Sequence, residues 1–174
     1  MKIVAFGGSN STQSINKHLA TYAASLFENA DIEVLDLNDF AMPLFSVDLE
    51  KEVGQHDFAK AFLAKLGSAD ILVVSLAENN NNYSVAFKNL FDWCSRIAKE
   101  VFQQKPMLLL ATSPGSRGGA SVLEIGRNAL PRYGADIKAT FSLPAFNANF
   151  DLDQNKITNA ELDKELRNLI KECF

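Results

Sequence analysis

The chain has 174 residues, 47% of them hydrophobic and 22% charged. That suits one domain around one buried core and excludes a disordered segment or a small disulfide scaffold. Lys and Arg number 17 against 21 Asp and Glu, a net charge of −4, so no global basic field attracts nucleic acid or an anionic lipid surface, and neither is expected as a partner. Cys94 and Cys173 have no second Cys or His at metal-ligand spacing and read as reduced thiols, with no metal expected. The apolar run Ile3 to Phe6 is too short for a signal peptide, and Ile71 to Ala77 is far short of a bilayer span. A soluble cytoplasmic protein is expected.

In chain order, Lys2 to Phe6 is a β-branched, apolar run closed by Gly7-Gly8, the pattern of a parallel strand covered on both faces. Ile15, Leu19, Ala23 and Leu26 then recur at helical spacing, with Lys17, Thr21 and Glu28 on the other side. Short strands follow at Ile32 to Leu35, Ile71 to Ser75, Met107 to Thr112 and Ile137 to Phe141. Helices are expected around Phe58 to Leu66, Val85 to Ala98, Val122 to Leu130 and Leu162 to Ile170. Five strands alternating with five helices, joined by right-handed crossovers, make a doubly wound α/β fold in a single domain spanning 1–174. The order 2-1-3-4-5 places a crevice at the carboxyl ends of strands 1, 3 and 4.

Three loops open into that crevice. Gly7-Gly-Ser-Asn-Ser-Thr-Gln-Ser14 joins a strand to a helix and is rich in hydroxyls. Free N–H groups and the helix dipole there suit a phosphate, although Ser11, Thr12 and Ser14 equally suit helix capping. The loop lacks both a Walker sequence and a Gly-x-Gly-x-x-Gly, and its want of a basic residue argues against a triphosphate. Ala77-Glu-Asn-Asn-Asn-Asn-Tyr-Ser84 reads as a polar turn, because Asn tolerates left-handed backbone. Ser113-Pro-Gly-Ser-Arg-Gly-Gly119 reads, by itself, as a flexible connector.

Other partial motifs in the chain lack a required residue. Asp151-x-Asp153-x-Asn155 begins like a calcium loop but has Lys156 and Leu162 where Gly and Glu are required. Cys94 is not followed by the Arg of a phosphate-transfer loop and is assigned to helix packing. No Gly-x-Ser-x-Gly elbow accompanies His18 or His56. His18 is expected on the surface of the first helix and His56 near the start of the second.

Taken together, the loops resemble those of the NAD(P)H-dependent FMN reductase family, flavodoxin-like enzymes that include quinone, azo-dye and chromate reductases. Gly8-Ser9, Ser14-x-Asn16 and Leu19-Ala20 are similar to the family's phosphate loop. Glu78, Asn80 and Lys88-Asn89-x-x-Asp92-Trp93 resemble its second motif, and Ser113-Pro114-Gly115 with Gly118-Gly119 its third. Phe150-Asp151 through Ile157-Thr158, with Glu161-Leu162, resembles its final hairpin and helix. The resemblance implies a flavodoxin-like fold and FMN as cofactor. Ser9, Ser11, Thr12, Ser14, Ile15 and Asn16 would hold the phosphate, with Ser9, Ser14 and Asn16 foremost. Ala77, Glu78, Asn79, Asn80 and Asn81 would meet the ring edge, and Ser113, Pro114, Gly115, Gly118 and Gly119 the opposite rim. Ser11 stands where the family often has Arg, which implies weaker FMN binding, and Ala77 and Asn79 replace its usual Pro and Tyr.

The resemblance further implies hydride transfer from NAD(P)H to a small acceptor in a ping-pong cycle. No side-chain acid or base is needed, since the flavin carries the chemistry. A homodimer or homotetramer is expected through the Val85 to Phe102 helix, with Phe91 and Trp93 contributing. The rival readings are a flavodoxin-type electron carrier and a flavin-free binding domain.

Overall fold

The computed structural model describes residues 1–174. Five parallel strands run in the order β2-β1-β3-β5-β6, with β1 Lys2–Gly8, β2 Asp31–Leu35, β3 Ile71–Asn79, β5 Lys105–Thr112 and β6 Ala135–Leu143. With the two-residue strand β4, Asn82–Tyr83, left out of the numbering, this is the expected order 2-1-3-4-5.

Both faces of the sheet are covered, which is why its central strands read as continuous apolar runs. Along β1, Ile3 and Ala5 enter one core while Val4 and Phe6 enter the other. Helices α1 (Ile15–Ser25) and α7 (Ala160–Cys173) cover the first face, and α3 (Asp57–Gly67), α4 (Val85–Ile97) and α5 (Ala120–Ala129) the second. These are the five helices expected from periodicity.

Smaller elements escaped that reading. Helix α2 (Val47–Val53) buries no residue and so has no apolar stripe. A one-turn helix α6 (Phe146–Asn149), two 3-10 turns at Leu37–Phe40 and Leu130–Tyr133, and the hairpin β7 (Phe150–Asp151) with β8 (Lys156–Ile157) complete the chain. The hairpin agrees with the family resemblance. His18 is half-buried beneath it, 3.1 Å from Asn155 Oδ1, and so is less exposed than expected.

Phe91 and Trp93 are only 8% and 1% exposed, which corrects the expectation that they form a subunit interface. Both belong to this chain's own core; Trp93 Nε1 donates to Pro43 O at 2.9 Å and the ring packs edge-on against Phe45. Cys94, on the same helix, is fully buried, and burial pushes its thiol up to about 12, in keeping with a packing role.

Candidate active site

The crevice forms where β1, β3 and β5 end side by side and their chains turn into α1, β4 and α5. Gly7 is a glycine for packing reasons: a Cβ there would lie 2.4 Å from Lys17 N and 2.8 Å from Asn16 C. The first turn of α1 thus rests directly on the end of β1.

Ser14 is the N-cap of α1, and its hydroxyl oxygen accepts Lys17 N–H at 3.1 Å. Ser9 Oγ accepts Ser11 N–H at 3.1 Å, and Ser11 Oγ accepts Gln13 N–H at 3.2 Å. Each hydroxyl therefore spends a lone pair on backbone and keeps its O–H proton uncommitted. The N–H groups of Ser14, Ile15 and Asn16 also lack backbone or side-chain acceptors, as the start of a helix requires. Capping and anion binding are thus compatible here. Lys17 does not add its charge to the loop, because Nζ pairs with Asp36 at 2.6 Å and this bond holds the Asp36 carboxyl below the usual range.

The side chain of Asn16 is committed elsewhere. Its Nδ2 donates to Thr112 O at 3.2 Å, and its Oδ1 accepts Ser75 Oγ–H at 2.7 Å and Thr112 N–H at 3.1 Å. It is a buried clasp joining α1 to β3 and β5, so that any part of Asn16 in holding the expected phosphate falls to its main chain. Only its backbone N–H is open.

The polar-turn reading of the asparagine run holds. Asn80 and Asn81 have φ of 51° and 60° between the paired residues Asn79 and Asn82, the positive-φ pair that a two-residue hairpin demands. At the base of the hairpin, Glu78 Oε2 accepts Val122 N–H at 3.0 Å. It caps α5, whose own N-cap, Gly119, has no side chain to do so. Ser84 Oγ donates to Gly8 O at 2.6 Å and fastens the start of α4 to β1. The Tyr83 ring packs 5.2 Å from Phe87, and burial pushes its unpartnered hydroxyl up to about 12.

The third loop is held from a segment that sequence reading missed, the turn after β6. Ala145 and Phe146 donate their N–H groups to Gly115 O at 2.9 Å and Ser113 O at 3.1 Å. Ala145 sits at φ 44°, a strained left-handed residue. Gly118 has φ 56°, and a Cβ on it would lie 2.4 Å from Ser142 Oγ.

These loops enclose a cleft of about 190 Å³ lined by Ser9, Ser11, Gln13, Ser14, Ile15, Asn16, Ala77, Glu78, Asn79, Thr112, Ser113 and Pro114. Most of the expected residues converge there. Thr12, Asn80, Asn81, Gly115, Gly118 and Gly119 do not line it; they support the loops from behind or stand at their tips. Gln13 and Thr112 line it without having been singled out, Thr112 because it is the last residue of β5. No aromatic side chain faces the cleft, Tyr83 included.

A family model described as NADPH-dependent FMN reductase matches residues 1–148. The 2-hydroxy-1,4-benzoquinone reductase of Burkholderia sp. is 32% identical over 122 residues, covering 69% of this chain and 64% of that protein. The quinone reductase of Escherichia coli (strain K12) is 33% identical over 92 residues, or 52% of this chain and 49% of that one. The matches thus span less than two thirds of the length of these relatives. Among solved structures, the flavoenzyme NAD(P)H:(acceptor) oxidoreductase FerB of Paracoccus denitrificans has the same fold, with a TM-score of 0.76 at 22% identity over 98% of this chain and 93% of that one. Sequence and fold agree, and the chain belongs to the NADPH-dependent FMN reductase family.

Proposed function

We propose that the cleft holds FMN and that the chain is an NAD(P)H-dependent reductase of a small acceptor such as a quinone, a free flavin or an azo compound. The donor set of the first loop carries this reading. Three hydroxyl groups with uncommitted protons and three free N–H groups at one helix start suit a single phosphate, with no cation needed. A second phosphate has no comparable cradle, so FMN fits where FAD does not.

Bound FMN would supply the redox chemistry, accepting hydride from NAD(P)H and passing it to the acceptor. The chain's part is placement. Ala77 to Asn79 at the end of β3 and Ser113-Pro114 beyond β5 form the two rims against which a flat ring would rest. Glu78 is tethered to α5 through Val122 N–H, which fixes the end of β3 at the cleft. The want of an aromatic cover favours a reductase over an electron carrier, because an uncovered ring face is open to donor and acceptor in turn. Ping-pong kinetics follow, with parallel double-reciprocal lines; intersecting lines would mean a ternary complex.

Titrating FMN-free protein into FMN tests the site. Quenching of flavin fluorescence at one equivalent is expected, and no quenching at micromolar concentration would refute it. The work is assigned to one cytoplasmic domain, in keeping with two unpaired cysteines and no helix long and apolar enough to cross a membrane. A homodimer or homotetramer is also proposed. Its support lies in Leu44 and Val85, 70% and 68% exposed, which line two adjoining grooves of about 300 and 410 Å³.

A further inference from the structure

Two segments flank the cleft, and neither is stiff by nature. The third loop contains Gly115, Gly118 and Gly119, the last two at positive φ, and glycine loses more freedom on ordering than any other residue. The tip of the β3–β4 hairpin is two exposed left-handed asparagines. One side chain joins them. Arg117 Nη2 donates to Asn81 Oδ1 at 2.7 Å, in the hairpin turn, and to Ser121 Oγ at 2.9 Å, in the first turn of α5. The same nitrogen lies 3.8 Å from Glu78 Oε1, and Glu78 itself accepts Val122 N–H from α5. A closed circuit results, running from β3 through the hairpin turn, the guanidinium and α5 back to β3.

We propose that Arg117 is a positioning residue whose side chain sets the separation of the two loops that would grip the flavin ring. The inference rests on the cleft being the FMN site. With 65% of its side chain exposed, Arg117 adds little to stability as an ion pair. Its effect is directional: two neutral acceptors on different elements fix the plane of a rigid guanidinium. A lysine ammonium, a point charge on a flexible stem, has no fixed plane with which to set their relative direction. Nothing else in the third loop reaches the hairpin by a side-chain hydrogen bond.

Hydrogen–deuterium exchange on the FMN-free full chain tests the brace without the cofactor. Arg117→Ala should raise exchange at least about fivefold in both 78–83 and 113–122, and Arg117→Lys should not restore protection. Asn81→Gly keeps the positive-φ turn while removing the acceptor, and should loosen 113–122 from the other side. Exchange that rises only in 113–119 with Arg117→Ala, or full protection with Arg117→Lys, would overturn the proposal. In FMN-loaded protein, Arg117→Ala should lower kcat about tenfold while KM for NAD(P)H changes less than about threefold, the signature of misplaced reacting atoms. An unchanged kcat would also overturn it. Failure of the wild-type chain to bind FMN, with the exchange coupling intact, would instead remove the cofactor reading and leave the brace as a loop spacer.

Discussion

At the scale of single residues, Ser14 and Asn16 stand two positions apart and do different work. Ser14 lines the cleft and its oxygen caps α1, which leaves its O–H proton without an acceptor in the chain. Aspartate is an equally good N-cap, so Ser14→Asp keeps the helix capped, at some cost in stability because the position is buried, while placing a negative charge beside the phosphate. FMN affinity should fall by at least about 2 kcal/mol, roughly 30-fold. Undiminished affinity in a fluorescence titration would place the phosphate elsewhere. Asn16→Ala should do the reverse. It strands the Ser75 hydroxyl and both backbone groups of Thr112 in the core, a loss of about 3 kcal/mol in urea denaturation of FMN-free protein. A loss under about 1 kcal/mol would show that these partners find replacements.

At the scale of elements, α1 is tied at both ends by groups that titrate. Near its start, Lys17 hydrogen-bonds Asp36 and lowers that carboxyl's pKa. A depressed acid contributes stability above its ordinary pKa and loses it as pH falls through the lowered one. The protein should therefore weaken below about pH 4, by no more than about 1 kcal/mol from this pair, and Asp36→Asn should remove that increment. Further along, burial and then the hydrogen bond to Asp163 push Tyr22 up from 10.0 to about 12. The sign is opposite. The α1–α7 contact is intact below pH 10.0 and should weaken as pH rises toward about 12, and Tyr22→Phe should flatten that alkaline limb of a thermal melt.

The elements also show what a sequence does and does not disclose. The five parallel strands and five packed helices were legible because each buries an apolar face whose period survives in one dimension. Helix α2 was not, since it buries no residue fully and packs only Leu49 against the core; its marks were the cap Ser46, acidic Asp48 and Glu50, and the terminal Gly54 at φ 72°. The cleft was legible as three loops, since strand ends set where loops open. What each polar side chain bonds was not. Asn16, Glu78 and Arg117 all sit in or beside recognisable motifs, yet their partners lie on other elements, 96, 44 and 36 positions away. Phe91 and Trp93 misled for the complementary reason: helical periodicity shows that a face is apolar, and does not say whether this chain or a second copy covers it.

At the scale of the whole molecule, a self-association test follows from the exposed Leu44 and Val85 rather than from the buried aromatics. Sedimentation at micromolar concentration should give a dimer or tetramer, and Val85→Glu should shift it toward monomer by leaving a charge unpaired at the contact. A monomeric wild type would refute the assembly. One cleft is proposed to hold FMN and to serve a hydride donor and an acceptor in turn. Anaerobic mixing of the FMN-loaded protein with NADPH, followed by a quinone, tests it most directly. Loss of the oxidised flavin absorbance in a single turnover that needs no acceptor is predicted, with full return of that absorbance when the quinone is added. Flavin absorbance that NADPH and NADH both leave unchanged would contradict the reductase account and favour an electron carrier.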